Sequence, residues 1–272
     1  MPRRLLLAAC LRAAALLATV MPIAVAAQAA GDAAPLVRLD HVPIAVRQLD
    51  TAMADYAALG FTFKPGRAHA DGLRNAHVKF RNGAGLELIT ARQPGSPLAQ
   101  HYADFLRAGE GPAYLTLHAP DEPRASAALH AAGIAHTLGP DGLTLADPQL
   151  AWLFFAADNR SPSDRPAHFA HANGAAATRE VWIALDDDRP LARLLSALGA
   201  RSHDEQRDAP LAGLARVYDL ADNGSIVVVP ARHQLVPGHP VIGVVMAAPL
   251  QPKRAFTPTQ AHGLWLTLQP GP

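Results

Sequence analysis

Polar side chains alternate with apolar ones along three stretches of this sequence that have the pattern of β-strands. In the first stretch apolar residues occupy every second position from Val42 to Val46, so the residues between them point to the other face. Residues 74–81 and 86–90 repeat the alternation around an Asn-Gly turn signal, which predicts a hairpin. Five polar residues then share one sheet face: His41, Asn75, His77, Lys79 and Glu87. Groups of these types on one face can bind a metal ion or move a proton.

One interpretation of this face is a divalent metal site. His41 and Glu87 would be the primary ligands, with His118 as the third ligand, Glu180 as its alternative, and water in the remaining positions. Imidazole and carboxylate ligands with open positions suit Fe(II), Mn, Ni or Zn. Such an ion would polarise the carbonyl or enediolate oxygen of a small substrate.

Two other interpretations need no metal. In one, Glu87 acts as a base on an acidic C–H or O–H group, while Lys79 or His77 stabilises the oxyanion that develops. In the other, the face is simply solvated, and Lys79 and Glu87 form a cross-strand pair worth at most about 1 kcal/mol. The residues alone leave all three interpretations open.

A template that occurs three times along the chain positions these side chains. Each copy runs from an apolar strand through a short helix to a glycine and then to a hairpin. The glycines stand at the same distance, 19 residues, from the start of each strand: Gly60, Gly133 and Gly199. Residues 241–246 and 263–268 have the pattern of strands from a further copy, in which a proline-rich stretch, 249–259, replaces the helix. We therefore predict an α+β fold of three full β-α-β-β-β units and a truncated fourth.

The first 29 residues predict a signal peptide. Two arginines precede an apolar run, 13–27, and an Ala-Gln-Ala sequence that ends at Ala29 fits the small-residue rule for cleavage. Cys10, the only cysteine, would be removed, unless the residues before it act as a lipoprotein box, which is the alternative. We expect a periplasmic or secreted protein that is not attached to a membrane after cleavage.

The rest of the chain has the composition of a globular protein. Apolar residues make up 50% of the sequence, which supplies a core without disulfides. The formal net charge is +1 and no basic stripe is visible, so nucleic acid is not an expected partner. We expect a first half at residues 37–158 with units one and two, a linker at 159–177, and a second half at 178–269. A homodimer is a further expectation.

Several motifs resemble the vicinal oxygen chelate superfamily, and its glyoxalase-like branch in particular. Leu39-Asp40-His41-Val42, residues 74–80 and residues 85–89 resemble the first, third and fourth strands of that branch, and residues 171–175 resemble a motif of its longer members. The resemblance covers roughly residues 37–269. It implies curled mixed sheets that form cups from paired units, with metal ligands on the first and fourth strands. Here those ligands are His41 and Glu87.

The resemblance also implies roles for residues of the other units. Tyr114 and Trp152 stand in the second unit where the first unit has its two ligands, and we expect them to bind substrate together with Asn75. Glu180 takes the first-strand place in the third unit. The implied activity is that of a lyase, isomerase or dioxygenase acting on a small oxygenated molecule, with a divalent metal as cofactor. A non-catalytic binding or sequestering protein and a structural domain with a degenerate site are the alternatives.

Overall fold

The computed structural model describes residues 34–140 and 142–270. The predicted signal peptide, residues 1–29, lies outside these residues, and so does Cys10. Export and the lipoprotein alternative therefore stay predictions. Within the described ranges, none of the helices combines the length and the apolar composition that crossing a bilayer requires.

Four copies of one supersecondary unit make up the described chain. The first copy and the helix after it contain β1 (Arg38–Leu39), β2 (His41–Ala45), α1 (Leu49–Ala58), β3 (Lys64–Ala68), β4 (Leu73–Lys79), β5 (Gly85–Ala91) and α2 (Pro97–Ala108). The second contains β6 (Gly111–Pro112), β7 (Leu115–His118), α3 (Glu122–Ala131), β8 (His136–Gly139), β9 (Gly142–Leu145) and β10 (Leu153–Phe155). The third contains β11 (Ala177–Ala184), α4 (Arg189–Ala197), β12 (Arg201–Arg207), β13 (Gly213–Asp219) and β14 (Ser225–Val229). The fourth contains β15 (Val241–Ala247), β16 (Arg254–Phe256) and β17 (Trp265–Gln269).

The first two units form adjoining sheets. The strand orders are β3-β4-β5-β2-β6, β1-β7-β10 and the hairpin β8-β9. β2 runs parallel to β5 and antiparallel to β6. Backbone hydrogen bonds from Asp40 N to Thr116 O, at 3.1 Å, and from Ala113 N to Pro43 O, at 2.9 Å, join the two units along β2. The first strands of both units therefore lie side by side.

Units three and four share one sheet of seven strands, in the order β12-β13-β14-β11-β15-β17-β16. β15 runs parallel to β17, as β11 runs parallel to β14, so the fourth unit repeats the strand pairing of the third. Between β15 and β17 the described chain has only the short strand β16 where the other units have a helix. The predicted α+β fold of three full units and a truncated fourth is confirmed.

In the five-stranded sheet β3-β4-β5-β2-β6, which we call the first sheet, the apolar and polar faces lie as the alternation predicts. Val42 and Ile44 are buried in the main core together with residues of α1, α3 and α4. We call the opposite face of this sheet the first cup. At one end of the first cup, α2 packs Tyr102 and Phe105 against Ala45. Burying a large apolar side chain stabilises a fold by about 1.5–3 kcal/mol, so α2 closes this end of the cup firmly.

Candidate functional site

Polar residues gather at the other end of the first cup. In the pairing of β4 with β5, His77 lies opposite Glu87. His41 Nε2 on β2 lies 3.3 Å from Glu87 Oε2, and Asn75 Nδ2 donates a hydrogen bond of 2.6 Å to Glu87 Oε1. Lys79 follows on the same face of β4. The sequence alternation thus predicted which five side chains the three strands bring together.

A buried carboxylate holds the other nitrogen of His41. Asp40 Oδ1 lies 2.5 Å from His41 Nδ1, and its side chain is fully buried. Thr116 on β7 adds its hydroxyl at 3.0 Å from the same nitrogen and donates to the His41 carbonyl at 2.6 Å. The imidazole therefore has a carboxylate oxygen at each ring nitrogen, which fixes its orientation.

These contacts change the charge state of the pair. Burial favours a neutral His41, but the hydrogen bonds and charges of Asp40 and Glu87 outweigh it and raise the pKa of His41 to about 9. Burial likewise opposes ionisation of Glu87, but His41 and then His77 and Asn75 lower the pKa of Glu87 to about 2. At neutral pH an imidazolium therefore lies between two carboxylates. Glu87, already bonded on both oxygens, is a weak base.

His77 is the second imidazole of the site, and its environment differs. Its Nδ1 is buried without a hydrogen-bond partner among the described residues, and no hydrogen bond to its other ring nitrogen occurs there. Burial, only partly offset by the charge of Glu87, lowers the pKa of His77 below its usual 6.5. His77 lines a cleft of about 480 Å³ together with Asn75 and Lys79. Because Nδ1 is buried, Nε2 is the ring nitrogen that a molecule in the cleft can reach, and His77 is a neutral imidazole that can accept a proton there.

Lys79 brings a buried cation to the same cleft. Its side chain is only 2% exposed. Its Nζ donates to the carbonyl and the side-chain oxygen of Asn159 and lies 3.3 Å from Asp164 Oδ2. Burial lowers the pKa of Lys79 despite the nearby Asp164. The segment predicted to be a linker thus covers one side of the site, and because Glu87 is 8% exposed, the face is not the open, solvated surface of the third interpretation.

Tyr114, predicted to bind substrate, lies at the closed end of the first cup. Its ring is 5.5 Å from that of Tyr102 and 5.3 Å from that of Phe154, centroid to centroid. Burial raises the pKa of Tyr114 to about 12. Burial, and next the charge of Glu87, raises the pKa of Tyr102 well above 10. Tyr102 and Tyr114 therefore belong to the apolar, closed end of the cup.

Three other predicted residues do not reach this site. His118 Nδ1 lies 3.1 Å from the carbonyl of Ala156. Trp152 donates from Nε1 to Gln149 O at 2.9 Å and borders a different cleft. Glu180 lies on β11 in the seven-stranded sheet of units three and four. There its carboxylate lies 3.2 Å from Arg207 and accepts a hydrogen bond of 3.0 Å from the indole of Trp182.

The donor set decides how well the site fits a divalent metal. His41 and Glu87 converge as expected, and the carboxylate behind His41 is of the kind that orients metal-binding histidines. No group of three His, Cys, Asp or Glu side chains that could hold a metal ion occurs in residues 34–140 and 142–270. Protein sites for Fe, Mn, Ni or Zn usually supply about three or more ligands. The described residues therefore do not by themselves form such a site.

Comparisons with solved structures identify the architecture. A hypothetical protein from Staphylococcus aureus superposes with a TM-score of 0.59 at 12% identity, covering 86% of this chain and 99% of that chain. A mutant of 4-hydroxymandelate synthase from Streptomyces coelicolor gives a TM-score of 0.57 at 15% identity, over 78% and 71% of the two chains. A catechol 2,3-dioxygenase gives 0.53 at 16% identity, over 88% and 90%. At such identities the likeness shows the fold alone.

Comparison of sequences identifies the family. No curated protein sequence matches the chain. The model of a family described as glyoxalase-like domain matches residues 39–209, which is more than half of the sequence. That span includes the five polar residues of the first cup and the strands that carry them. The resemblance stated from the motifs is confirmed, and the chain belongs to the glyoxalase-like domain family of the vicinal oxygen chelate superfamily.

Proposed function

We propose that the chain is an enzyme of the isomerase or lyase type that moves a proton on a small oxygenated molecule bound in the first cup. The observation that carries this proposal is His77, a neutral imidazole without a hydrogen bond among the described residues, at a cleft that also contains a buried cation. A group kept neutral and unpartnered at such a place is suited to accept a proton.

Each polar residue has a distinct role in this proposal. His77 removes a proton from a C–H or O–H group next to a carbonyl. The N–H groups of Lys79 and His41 already bond to protein oxygens, so these two cations stabilise the negative charge that develops on oxygen through their charge at a distance. Asp40 and Glu87 keep His41 charged, and Glu87 also receives the hydrogen bond of Asn75. The base is thus His77 rather than Glu87, because Glu87 is bonded on both oxygens.

The other activity types have less support from the residues. A dioxygenase needs a redox metal or cofactor, and the described part of the chain offers two converging ligands where about three are usual. A purely structural domain would fill its cup, but here α2 fills only the apolar end and leaves the cleft beside His77. A non-catalytic binding protein is the second candidate, and the hydrogen-bonded, orienting contacts of Asn75 suit it equally well.

Export and the partners complete the proposal. The pattern of residues 1–29 supports a periplasmic or secreted location for the protein. Its partner is a small molecule, not nucleic acid or a membrane, and a homodimer is the assembly that we propose for it.

Solvent deuterium exchange tests the proposed activity without knowledge of the true substrate. The protein is incubated in D₂O with a panel of small aldehydes, ketones and 2-oxo acids, and NMR follows deuterium entering the C–H next to the carbonyl. We expect the wild type to exchange at least one compound about 100 times faster than buffer, the scale of general base catalysis. His203→Asn, at an exposed histidine on β12, should exchange equally fast.

Chelation and metal analysis separate the alternatives in the same samples. We expect exchange to survive treatment with EDTA. A stoichiometric metal that is lost from both His41→Ala and Glu87→Ala, together with exchange that stops on chelation, would contradict the metal-free mechanism. Saturable binding of a compound that never exchanges would instead favour the binding protein.

A further inference from the structure

A β-bulge at the edge of the first sheet turns an arginine toward the cleft. β3 pairs with β4 with a register shift between Pro65 and Ala68. Arg67, inside the bulge, lines the same cleft as His77. Bulges of this kind re-aim a side chain, and they are common beside functional sites.

Gly66 makes this arrangement possible. A Cβ atom at Gly66 would lie 2.1 Å from the backbone oxygen of Asn75 and 2.0 Å from its side-chain Oδ1, so only glycine permits the approach. The close approach lets Asn75 Oδ1 accept a hydrogen bond from Arg67 N at 3.2 Å. The other end of the Asn75 amide donates to Glu87. Asn75 therefore ties the position of Arg67 to the centre of the site.

Positive charge dominates the lining of the cleft. Its lining includes three cations, Lys64, Arg67 and Lys79, and no carboxylate. Asp164 neutralises part of this charge, because its carboxylate lies 2.6 Å from Lys64 Nζ and 3.3 Å from Lys79 Nζ. The guanidinium of Arg67 is exposed and makes no ion pair or hydrogen bond with any described residue. One strong donor group therefore remains free at the cleft.

From this geometry we propose that the molecule acted on in the first cup carries a carboxylate or phosphate group, which Arg67 binds with Lys64 beside it. The proposal rests on the proposed function and adds the substrate class. A guanidinium presents paired N–H donors that match the oxygens of either group. Ser161 and Ser163 also line the cleft, and because their hydroxyls bond to each other at 3.0 Å, one O–H of the pair remains to donate. A cleft of about 480 Å³ has the size of a small-ligand site, and Arg67, His77 and Lys79 all line it.

Direct binding of simple anions tests this assignment. Acetate, pyruvate and inorganic phosphate, with acetone and dihydroxyacetone as neutral partners, are titrated into the full chain and followed by calorimetry and NMR shifts. We expect the anions to bind and the neutral compounds to bind at least about 10 times more weakly, since a charged hydrogen bond is lost. The carboxylate and phosphate arms show which of the two groups the site takes.

Matched variants locate the binding. Arg67→Gln should weaken anion binding about 10- to 100-fold. Arg124→Gln, at an exposed arginine on α3, should leave it unchanged. Gly66→Ala keeps every charge but forces β3 away from Asn75, so it too should weaken binding. If that variant does not fold, the comparison of Arg67→Gln with Arg124→Gln decides alone.

The outcomes distinguish this inference from the proposed function. Equal affinity for anions and neutral compounds, or equal losses in Arg67→Gln and Arg124→Gln, would overturn the anion site. Deuterium exchange confined to neutral carbonyl compounds would also overturn it, while the proton-transfer function stands. Anion binding that depends on Arg67, with no exchange in any compound, supports the anion site and removes the enzymatic proposal.

Discussion

Replacing His77 by asparagine is expected to lower kcat/KM for proton exchange by about 10²- to 10⁴-fold, the contribution of a positioned general base. Asparagine keeps a polar side chain at this point of β4 but cannot accept a proton at neutral pH. Its neighbours, Asn75 and Lys79, project from the same face and need not move. The initial rate of deuterium incorporation measures the effect, with His203→Asn as the matched histidine substitution.

The pH dependence of the same rate should have two limbs. The base must be neutral, and because burial lowers the pKa of His77, the rate should stay level as pH falls from 7 and decline only below 6.5. On the alkaline side the rate should decline as pH rises through about 9, where His41 loses its proton. The residual rate of His77→Asn should lack the acidic limb. An unchanged rate in this variant, or a rate that rises toward acid, would exclude His77 as the base.

The second large effect concerns stability and the charged His41. A histidine whose folded pKa is raised stabilises the fold fully below its unfolded pKa, and this contribution disappears as pH rises through the folded pKa. For His41 these values are 6.5 and about 9. Each pKa unit corresponds to about 1.4 kcal/mol, so the free energy of unfolding should fall by about 3 kcal/mol across this interval. The lowered pKa of Glu87 arises from the same ion pair. It therefore adds no second change to the free energy of unfolding over this pH interval.

His41→Gln isolates this contribution. The variant has no group that titrates at this position, so the alkaline loss of stability should be smaller by the same amount. It should also be less stable than the wild type at pH 6.5 by about 3 kcal/mol, because Asp40 and Glu87 remain as buried carboxylates without their cation. Urea unfolding between pH 6 and pH 10 measures both effects, and His203→Gln serves as the exposed control. Parallel stability curves for wild type and His41→Gln would show that His41 is not charged in the folded protein.

Strand alternation predicted the centre of the site because its residues lie on regular strands. His77 and Glu87 are paired positions of β4 and β5, and a period of two fixes their face once one side is apolar. Strand alternation did not predict the position of the Asp40 side chain, and the reason is physical. Asp40 lies between β1 and β2, which pair with different strands, so alternation does not continue through it. Its carboxylate thus reaches the Nδ1 of the residue that follows it.

Residues on loops and distant units could not be placed from the sequence. Asp164 and Asn159 lie on a segment without periodicity, and nothing in such a segment predicts which surface it covers. Trp152 precedes β10 in a turn and bonds back to Gln149. Glu180 occupies the expected first-strand place, but its unit pairs with the truncated fourth copy and forms a separate sheet.

The repeated template predicted most of the fold, but it predicted less of the site. Equal spacing of three glycines marked the ends of three helices, and Gly60, with φ of 94°, takes the left-handed conformation that a helix end favours. The prolines of residues 249–259 predicted the loss of the fourth helix. The closure of the first cup by α2 did not follow from the repeat, because α2 stands outside it.

Protonation of the two imidazoles can be read by NMR of the ¹⁵N-labelled histidine rings, with His77→Asn and His41→Gln used to assign the signals. Between pH 7 and pH 8.5 we expect His77 to be neutral and His41 to carry both ring protons. A protonated His77 beside a neutral His41 would contradict the assignment of His77 as the base and His41 as the cation. It would thereby also contradict the proposed proton transfer.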